Sequence, residues 1–127
     1  EGMQLVAYCS GVGKVLLAGL SDEALEDYLD EGDFVPLTPR TLVAPSALRQ
    51  NILNIRRTGI AIDDREVSED MVCIAVPVTG PMGETVAAVS VSMPFGKGAP
   101  NHDPLSFRPF LEKCSKALGA FLGASQP

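Results

Sequence analysis

Two stretches of alternating side chains, joined by a short turn, constrain the fold more than any other part of this chain. Residues 71–78 read MVCIAVPV, residues 85–93 read TVAAVSVSM, and the turn TGPMGE lies between them. Runs rich in β-branched residues on either side of a turn with glycine and proline are typical of an antiparallel β-hairpin. The sequence therefore predicts at least two paired strands.

The two faces of this hairpin differ in character, because successive side chains of a strand point to opposite faces. One face is aliphatic and suited to packing on helices, and it carries Val72, Ile74, Val76, Val78, Ala87, Val89, Val91 and Met93. The other face is lined by small side chains with one thiol and two hydroxyls, those of Cys73, Ser90 and Ser92. Such a face leaves room for a ligand, although serines on a strand also commonly face water and cysteine commonly packs as a small apolar residue.

Helices are predicted both before and after the hairpin in the sequence. Ser10 and Ser21 each precede a helical run as N-caps, and Pro45 starts a helix that Gly59 ends. Apolar spacing over residues 105–122 indicates a long closing helix. The other segments are an extended segment over residues 3–8, an irregular connector over residues 34–45 with three prolines, and a short strand over residues 59–63.

Composition favours one α+β domain over residues 1–127 and excludes several classes of function. Hydrophobic residues make up 46% of the chain, yet no apolar stretch approaches the roughly 20 residues that span a membrane. A net charge of -6 argues against direct DNA binding, and a cytoplasmic location is expected. The three scattered cysteines and the single histidine, His102, predict no metal site, no cofactor and no catalytic triad.

The first helix begins with SGVGK, so that two glycines occupy its first turn. With Ser10 as the N-cap, the first amide groups of the helix lack intrahelical acceptors, and the helix dipole favours an anion beside them. Glycine would let a ligand approach this backbone closely. The alternative is ordinary capping, in which the glycines only relieve close packing.

Five segments of the chain occur in the order found in one protein family. They are SGVGK, the connector LTPRT, the helix end and strand IRRTGIAIDDRE, the strand CIAVPV and the strand VAAVSVS. In these segments the chain resembles the effector-binding domain of the IclR family of bacterial transcriptional regulators, from about Gly2 to Pro94. The closing helix also agrees with that family.

The resemblance implies a GAF-like fold, in which an antiparallel sheet carries helices on one face and a small-molecule pocket on the other. It further implies a sensor of a small organic acid, without catalytic activity. Carried over motif by motif, the implied effector-binding residues are Gly11, Val12, Asp63, Cys73, Ser90 and Ser92.

The resemblance also implies a longer protein than this chain. The family's winged helix-turn-helix and the N-terminal strands of its effector domain are expected to lie outside it, so that DNA would be bound only through the missing N-terminal domain. The chain is then either a fragment or a shortened homologue. An open sheet edge would favour pairing with another copy, as a dimer or tetramer.

The implied pocket restricts the ligand, because Asp63 would repel an anion. The repulsion disappears if Asp63 is protonated, accepts from the serines, or pairs with a hydroxyl or amine of the ligand. This suggests an effector with both an acid group and a hydroxyl or hydrated carbonyl. Two alternatives stay open: an assembly module without a ligand, and a GAF-like enzyme that uses Cys73 as a nucleophile or redox centre.

Overall fold

The computed structural model describes residues 7–100 and 102–124, so the predicted extended segment over residues 3–8 lies almost entirely outside the described residues. Within these described residues, four α-helices and three strands follow one another in the order α1, α2, α3, β1, β2, β3, α4, with a short 3-10 helix before α4. Their bounds are α1 Gly11–Ala18, α2 Asp22–Glu31, α3 Pro45–Thr58, β1 Ala61–Asp64, β2 Met71–Thr79, β3 Thr85–Pro94, the 3-10 helix Pro104–Phe107 and α4 Arg108–Ala124. The α+β fold class is confirmed.

The three strands form one antiparallel sheet in the order β1-β2-β3. Strands β2 and β3 are the predicted hairpin, and their turn is closed by the Gly80 amide, which donates to the Glu84 carbonyl at 2.7 Å. Gly83 has φ 81°, a left-handed conformation that glycine adopts without strain. Every strand therefore pairs with its neighbour in sequence.

The aliphatic face of the hairpin packs against α4, as its side chains predicted. Val72, Ile74 and Val76 of β2 are nearly inaccessible to solvent, and they form one core cluster with Met93 and with Leu111 of α4. This face and α4 therefore share an apolar core.

The opposite face is covered by α1, with α2 and α3 packed behind it. Ala61 and Ala75 of the sheet are fully buried in a second core cluster, which contains residues of all three helices. Helices therefore lie on both faces of the sheet, and α1 covers part of the face on which the pocket is expected.

The helix ends follow the predicted capping pattern. The Ser10 hydroxyl accepts from the Gly13 amide at 3.0 Å, and the Ser21 hydroxyl accepts from the Ala24 amide at 3.1 Å. Gly59 ends α3 in the left-handed region at φ 75°. Ala44, in contrast, precedes α3 without a side-chain capping bond.

Candidate functional site

All six predicted effector-binding residues line one cavity of about 280 Å³. The strand register accounts for this convergence: Asp63 lies opposite Cys73, which lies opposite Ser92, and Ala75 lies opposite Ser90 in the next row. The start of α1 forms a second wall, and the loop after β1 forms a third. The lining residues are Ser10, Gly11, Val12, Asp63, Val67, Ser68, Met71, Cys73, Ser90 and Ser92.

The two glycines of α1 each have a packing reason. A Cβ atom on Gly11 would lie 3.1 Å from the Cys73 sulfur and 3.3 Å from the Ala75 Cβ atom. A Cβ atom on Gly13 would lie 2.4 Å from the Ala7 Cα atom, a distance at which backbone would have to move. Close packing therefore explains both glycines, and Gly11 also brings the helix start directly over the thiol of the cavity.

Asp63 is a buried carboxylate at the edge of the cavity, 5% exposed. Its Oδ1 atom accepts from the Glu66 amide at 2.7 Å, and the Val67 amide also donates to this carboxylate. Burial raises the pKa of Asp63, while the loop amides and the nearby Lys14 ammonium act in the opposite direction. Among the residues that line the cavity, Asp63 is the one with a carboxyl group that could accept from a ligand hydroxyl.

A buried ion pair directly behind the cavity was missed by the sequence analysis. Lys14 of α1 is fully buried, and its Nζ atom donates to both carboxylate oxygens of Glu66 at 2.9 Å and 2.8 Å. The Leu42 amide also donates to this carboxylate, although burial remains the main influence and raises the pKa of Glu66. A lysine within the apolar run of α1 was the one signal in the sequence.

The loop that carries Asp63 and Glu66 is held by the threonine-rich connector. The Thr41 hydroxyl donates to the Glu66 carbonyl at 2.6 Å, and the Thr38 hydroxyl donates to the Arg65 carbonyl at 2.7 Å. Arg40 adds a bond from its Nε atom to the Asp64 carbonyl at 3.0 Å. These contacts support a loop in which Arg65 has φ 60°, a conformation uncommon for residues other than glycine.

Cys73 lies on the floor of the cavity with the properties of a buried thiol. Burial raises its pKa, although the hydroxyls of Ser92 and Ser90 and the Gly11 amide lie close enough to lower it. His102 contacts the Phe107 ring, with 6.0 Å between ring centroids, and does not line the cavity. A raised pKa disfavours the thiolate that a cysteine nucleophile requires.

Two larger grooves lie elsewhere on the molecule and contain none of the six predicted residues. One, of about 750 Å³, runs between α4 and the turn end of the hairpin. The other, of about 500 Å³, lies around Arg65, Phe95 and His102. Within residues 7–100 and 102–124, no cluster of three potential metal ligands is present. Within the same ranges, no helix is long and apolar enough to cross a membrane.

Comparison with known proteins gives consistent matches. Residues 1–119 match the family model described as bacterial transcriptional regulator IclR, C-terminal. The Pca regulon regulatory protein of Pseudomonas putida is 34% identical over 117 residues, which is 92% of this chain and 40% of that protein.

Solved structures agree with these sequence matches. The crystal structure of a Rhodococcus sp. RHA1 protein, assigned as a transcriptional regulator, superposes with a TM-score of 0.85 at 34% identity, over 93% of this chain and 48% of that one. The inducer-binding domain of PobR from Acinetobacter, in a double-mutant form crystallised with 3-hydroxybenzoic acid, has a TM-score of 0.79 at 23% identity, over 88% of this chain and 64% of that one. The latter shows likeness of fold alone.

Proposed function

We propose a function for this chain from the premise that it belongs to the IclR family of bacterial transcriptional regulators, matching their C-terminal domain. The chain spans about 40% of the length of the Pseudomonas putida relative. Its proposed role is to bind a small organic acid in the cavity beside α1. Proteins of this family are transcriptional regulators and not enzymes, which agrees with the raised pKa of Cys73.

The observation that carries the proposal is the convergence of three kinds of polar group on one cavity. The first turn of α1 presents amides without intrahelical acceptors, Ser90 and Ser92 present hydroxyls, and Asp63 presents a buried carboxyl. The amides and hydroxyls are suited to a ligand carboxylate, and Asp63 is suited to accept from a ligand hydroxyl. This set of groups matches an acid that also carries a hydroxyl or hydrated carbonyl.

The energetics of such a site are sufficient for useful affinity. Hydrogen bonds to charged groups contribute about 1.5–3 kcal/mol each, so two or three of them support binding in the micromolar range after ordering costs.

In the whole protein, ligand binding would change the affinity for DNA through a separate DNA-binding domain. Such a coupling requires that the ligand favour one of two arrangements of the whole protein. We also propose a homo-oligomer, since an effector domain that pairs with a second copy can transmit its state to a two-fold operator.

A second candidate is an assembly module without a ligand. Ser90 and Ser92 are solvent-exposed, which agrees with hydroxyls that only face water or a neighbouring protein surface. This alternative predicts that no small acid changes the stability of the domain.

Thermal unfolding against a panel of hydroxycarboxylic acids tests the proposal. A ligand at a hundred times its Kd adds about 2.7 kcal/mol of stability, which is a shift of several degrees for a domain of this size. We expect Ser92→Ala to abolish most of that shift. Ser46→Ala, at an exposed serine of α3, serves as the matched control and should keep it. A panel without any shift on the folded protein would instead favour the assembly module.

A further inference from the structure

Lys14 occupies a position that two physical effects disfavour. It is fully buried, and removing an ammonium from water is costly. It also lies in the first turns of α1, where the helix dipole disfavours a cation. Replacing a buried ion pair by apolar side chains of similar volume is often neutral or stabilising, so fold stability alone does not account for this lysine.

The ion pair connects two walls of the cavity. Lys14 is on the helix whose start forms one wall, and its ammonium holds the Glu66 carboxylate. The backbone amide of the same Glu66 donates to Asp63, the cavity carboxyl at the end of β1. A continuous path of polar contacts therefore leads from the pocket helix to the pocket carboxylate.

The hydrogen bonds from the connector do not make this connection. Thr38, Arg40 and Thr41 attach the loop to the connector that follows α2. Without the ion pair the loop would remain attached to the connector, but the hydrogen bonds between Lys14 and Glu66 would be lost. In a cavity of only about 280 Å³, a small separation of these walls changes which ligands fit.

We propose that Lys14 and Glu66 are positioning residues that set the spacing between the start of α1 and the Asp63–Ser68 loop, and thereby restrict the cavity to small ligands. The effect on ligand choice rests on the proposed function, whereas the effect on wall spacing is independent of it. Neither side chain lines the cavity, so both act through the groups that do.

The double variant Lys14→Met/Glu66→Leu separates positioning from stability. We expect it to unfold at a temperature close to that of the wild type, because two apolar side chains replace the pair. The readout is the rate at which iodoacetamide alkylates Cys73, which lies between the two walls and is 8% exposed. We expect alkylation of Cys73 to be at least about tenfold faster. This corresponds to a decrease of roughly 1.4 kcal/mol in the free energy of the local opening that exposes the thiol.

Two references make this measurement specific. Cys114 of α4 lies outside the cavity lining, and its alkylation rate should not change. The matched control variant is Glu26→Leu/Arg49→Met, which removes a solvent-accessible pair, 2.6 Å apart, between α2 and α3. It should leave Cys73 at the wild-type rate. An unchanged rate at Cys73 in the folded Lys14→Met/Glu66→Leu protein would overturn the proposal.

If that variant does not fold, Lys14→Met/Glu66→Gln provides the same readout. Methionine removes the donor to residue 66 and leaves no unpaired buried charge, so a folded protein with unchanged Cys73 reactivity would equally overturn the positioning role. Faster alkylation in either variant supports it.

A ligand measurement then tests the effect on selectivity. The ratio of the Kd values for lactate and 3-hydroxybenzoate is compared between the wild type and the double variant. We expect the double variant to favour 3-hydroxybenzoate over lactate by about tenfold or more relative to the wild type, equivalent to about 1.4 kcal/mol. An unchanged ratio would overturn the selectivity role. If the wild type binds neither acid, the proposed ligand class is contradicted, while the alkylation result still decides the positioning role.

Discussion

The two faces of strand β2 show how differently one short segment can be used. On the α4 side, Val72, Ile74 and Val76 belong to an apolar core cluster with Met93 and Leu111. On the α1 side, Cys73 lies beside the buried Asp63, with the Lys14–Glu66 pair behind it. The first face stabilises the fold by removing apolar surface from water, whereas the second buries polar groups at a cost. The apolar core shared with α4 and the proposed ligand-binding groups therefore lie on opposite sides of a single strand.

Ile74→Ala should have the largest effect on stability, and it tests the apolar face. Ile74 is fully buried, so truncation leaves a cavity and should lower the free energy of unfolding by about 3 kcal/mol. Chemical denaturation measures the loss. The matched control is Val86→Ala, at an exposed position of the same hairpin, which should cost less than about 0.5 kcal/mol. If the folded Ile74→Ala protein loses as much binding free energy for the ligand as it loses stability, the two faces of β2 do not have separate roles.

The glycines of α1 provide the next largest effect, on the pocket face. Gly13→Ala places a Cβ atom 2.4 Å from Ala7 backbone, so overpacking should destabilise the fold by about 1–3 kcal/mol despite the better helix propensity of alanine. The Cβ atom of Gly11→Ala would lie 3.1 Å from the Cys73 sulfur and 3.3 Å from the Ala75 Cβ atom, with the Ala75 backbone nitrogen at an ordinary contact distance of 3.8 Å. It should change stability by less than about 1 kcal/mol while narrowing the cavity. Equal losses in the two variants, measured by urea denaturation, would contradict this.

The pH dependence of stability should differ in sign between two adjacent aspartates. Burial raises the pKa of Asp63 in the folded state above its value in the unfolded state. At a pH between these two values, the folded state therefore binds more protons than the unfolded state. The stability that this contributes is present at low pH and is lost as the pH rises. Asp63→Asn, which keeps an acceptor for the Glu66 amide, should therefore gain stability relative to the wild type at pH 7, and the gain should shrink toward about pH 4.

Asp64→Asn is the matched control for this prediction. The Arg65 and Arg40 guanidinium groups lower the pKa of Asp64, so its contribution is present at neutral pH and is lost as the pH falls through the folded value. This variant should be less stable than the wild type at pH 7, with a deficit that shrinks on acidification. Denaturation across a pH series measures the stability of each variant relative to the wild type. If these differences change with pH in the same direction for Asp63→Asn and Asp64→Asn, the predicted difference in sign is wrong.

Ala44→Asp should have the smallest effect, because it touches neither face of the sheet. Ala44 precedes α3 without a capping bond, and a carboxylate there can accept from the free amides of the first turn. We expect a gain of about 0.5–1 kcal/mol in the free energy of unfolding, with ligand affinity unchanged. Ala44→Val, which has no acceptor, should give no gain. A change in ligand affinity would show that the pocket is sensitive to the far end of α3.

The sequence predicted those parts of the structure that depend on local pattern. Alternation along 71–78 and 85–93 predicted which side chains share a face, and Ser10 and Ser21 predicted two helix starts. The cavity lining agrees with the residues implied by family resemblance, although their role in binding stays a prediction. The strand register that places Cys73 beside both Asp63 and Ser92 depends on pairing and turn geometry, which side-chain alternation does not specify.

The contacts that were not predicted depend on the three-dimensional path of the chain. Lys14 and Glu66 are 52 residues apart in the chain, and no periodic pattern links them. The close approach of Gly13 to Ala7 depends on how the chain turns before α1, which the SGVGK motif does not reveal. Burial of a lysine against the helix dipole contradicts its ordinary preferences, and deviations of this kind are expected at functional sites.

The sequential order of the sheet has a consequence for how the molecule folds. Among the residues that the structure describes, β1, β2 and β3 pair with their neighbours in the chain, so this part of the sheet closes short loops and can form early. The cavity, in contrast, needs α1 to arrive from far upstream and to dock on strands that are already paired. We therefore expect the ligand-binding cavity to be the last part of this chain to assemble during folding, so that a protein able to bind its ligand has already completed its fold.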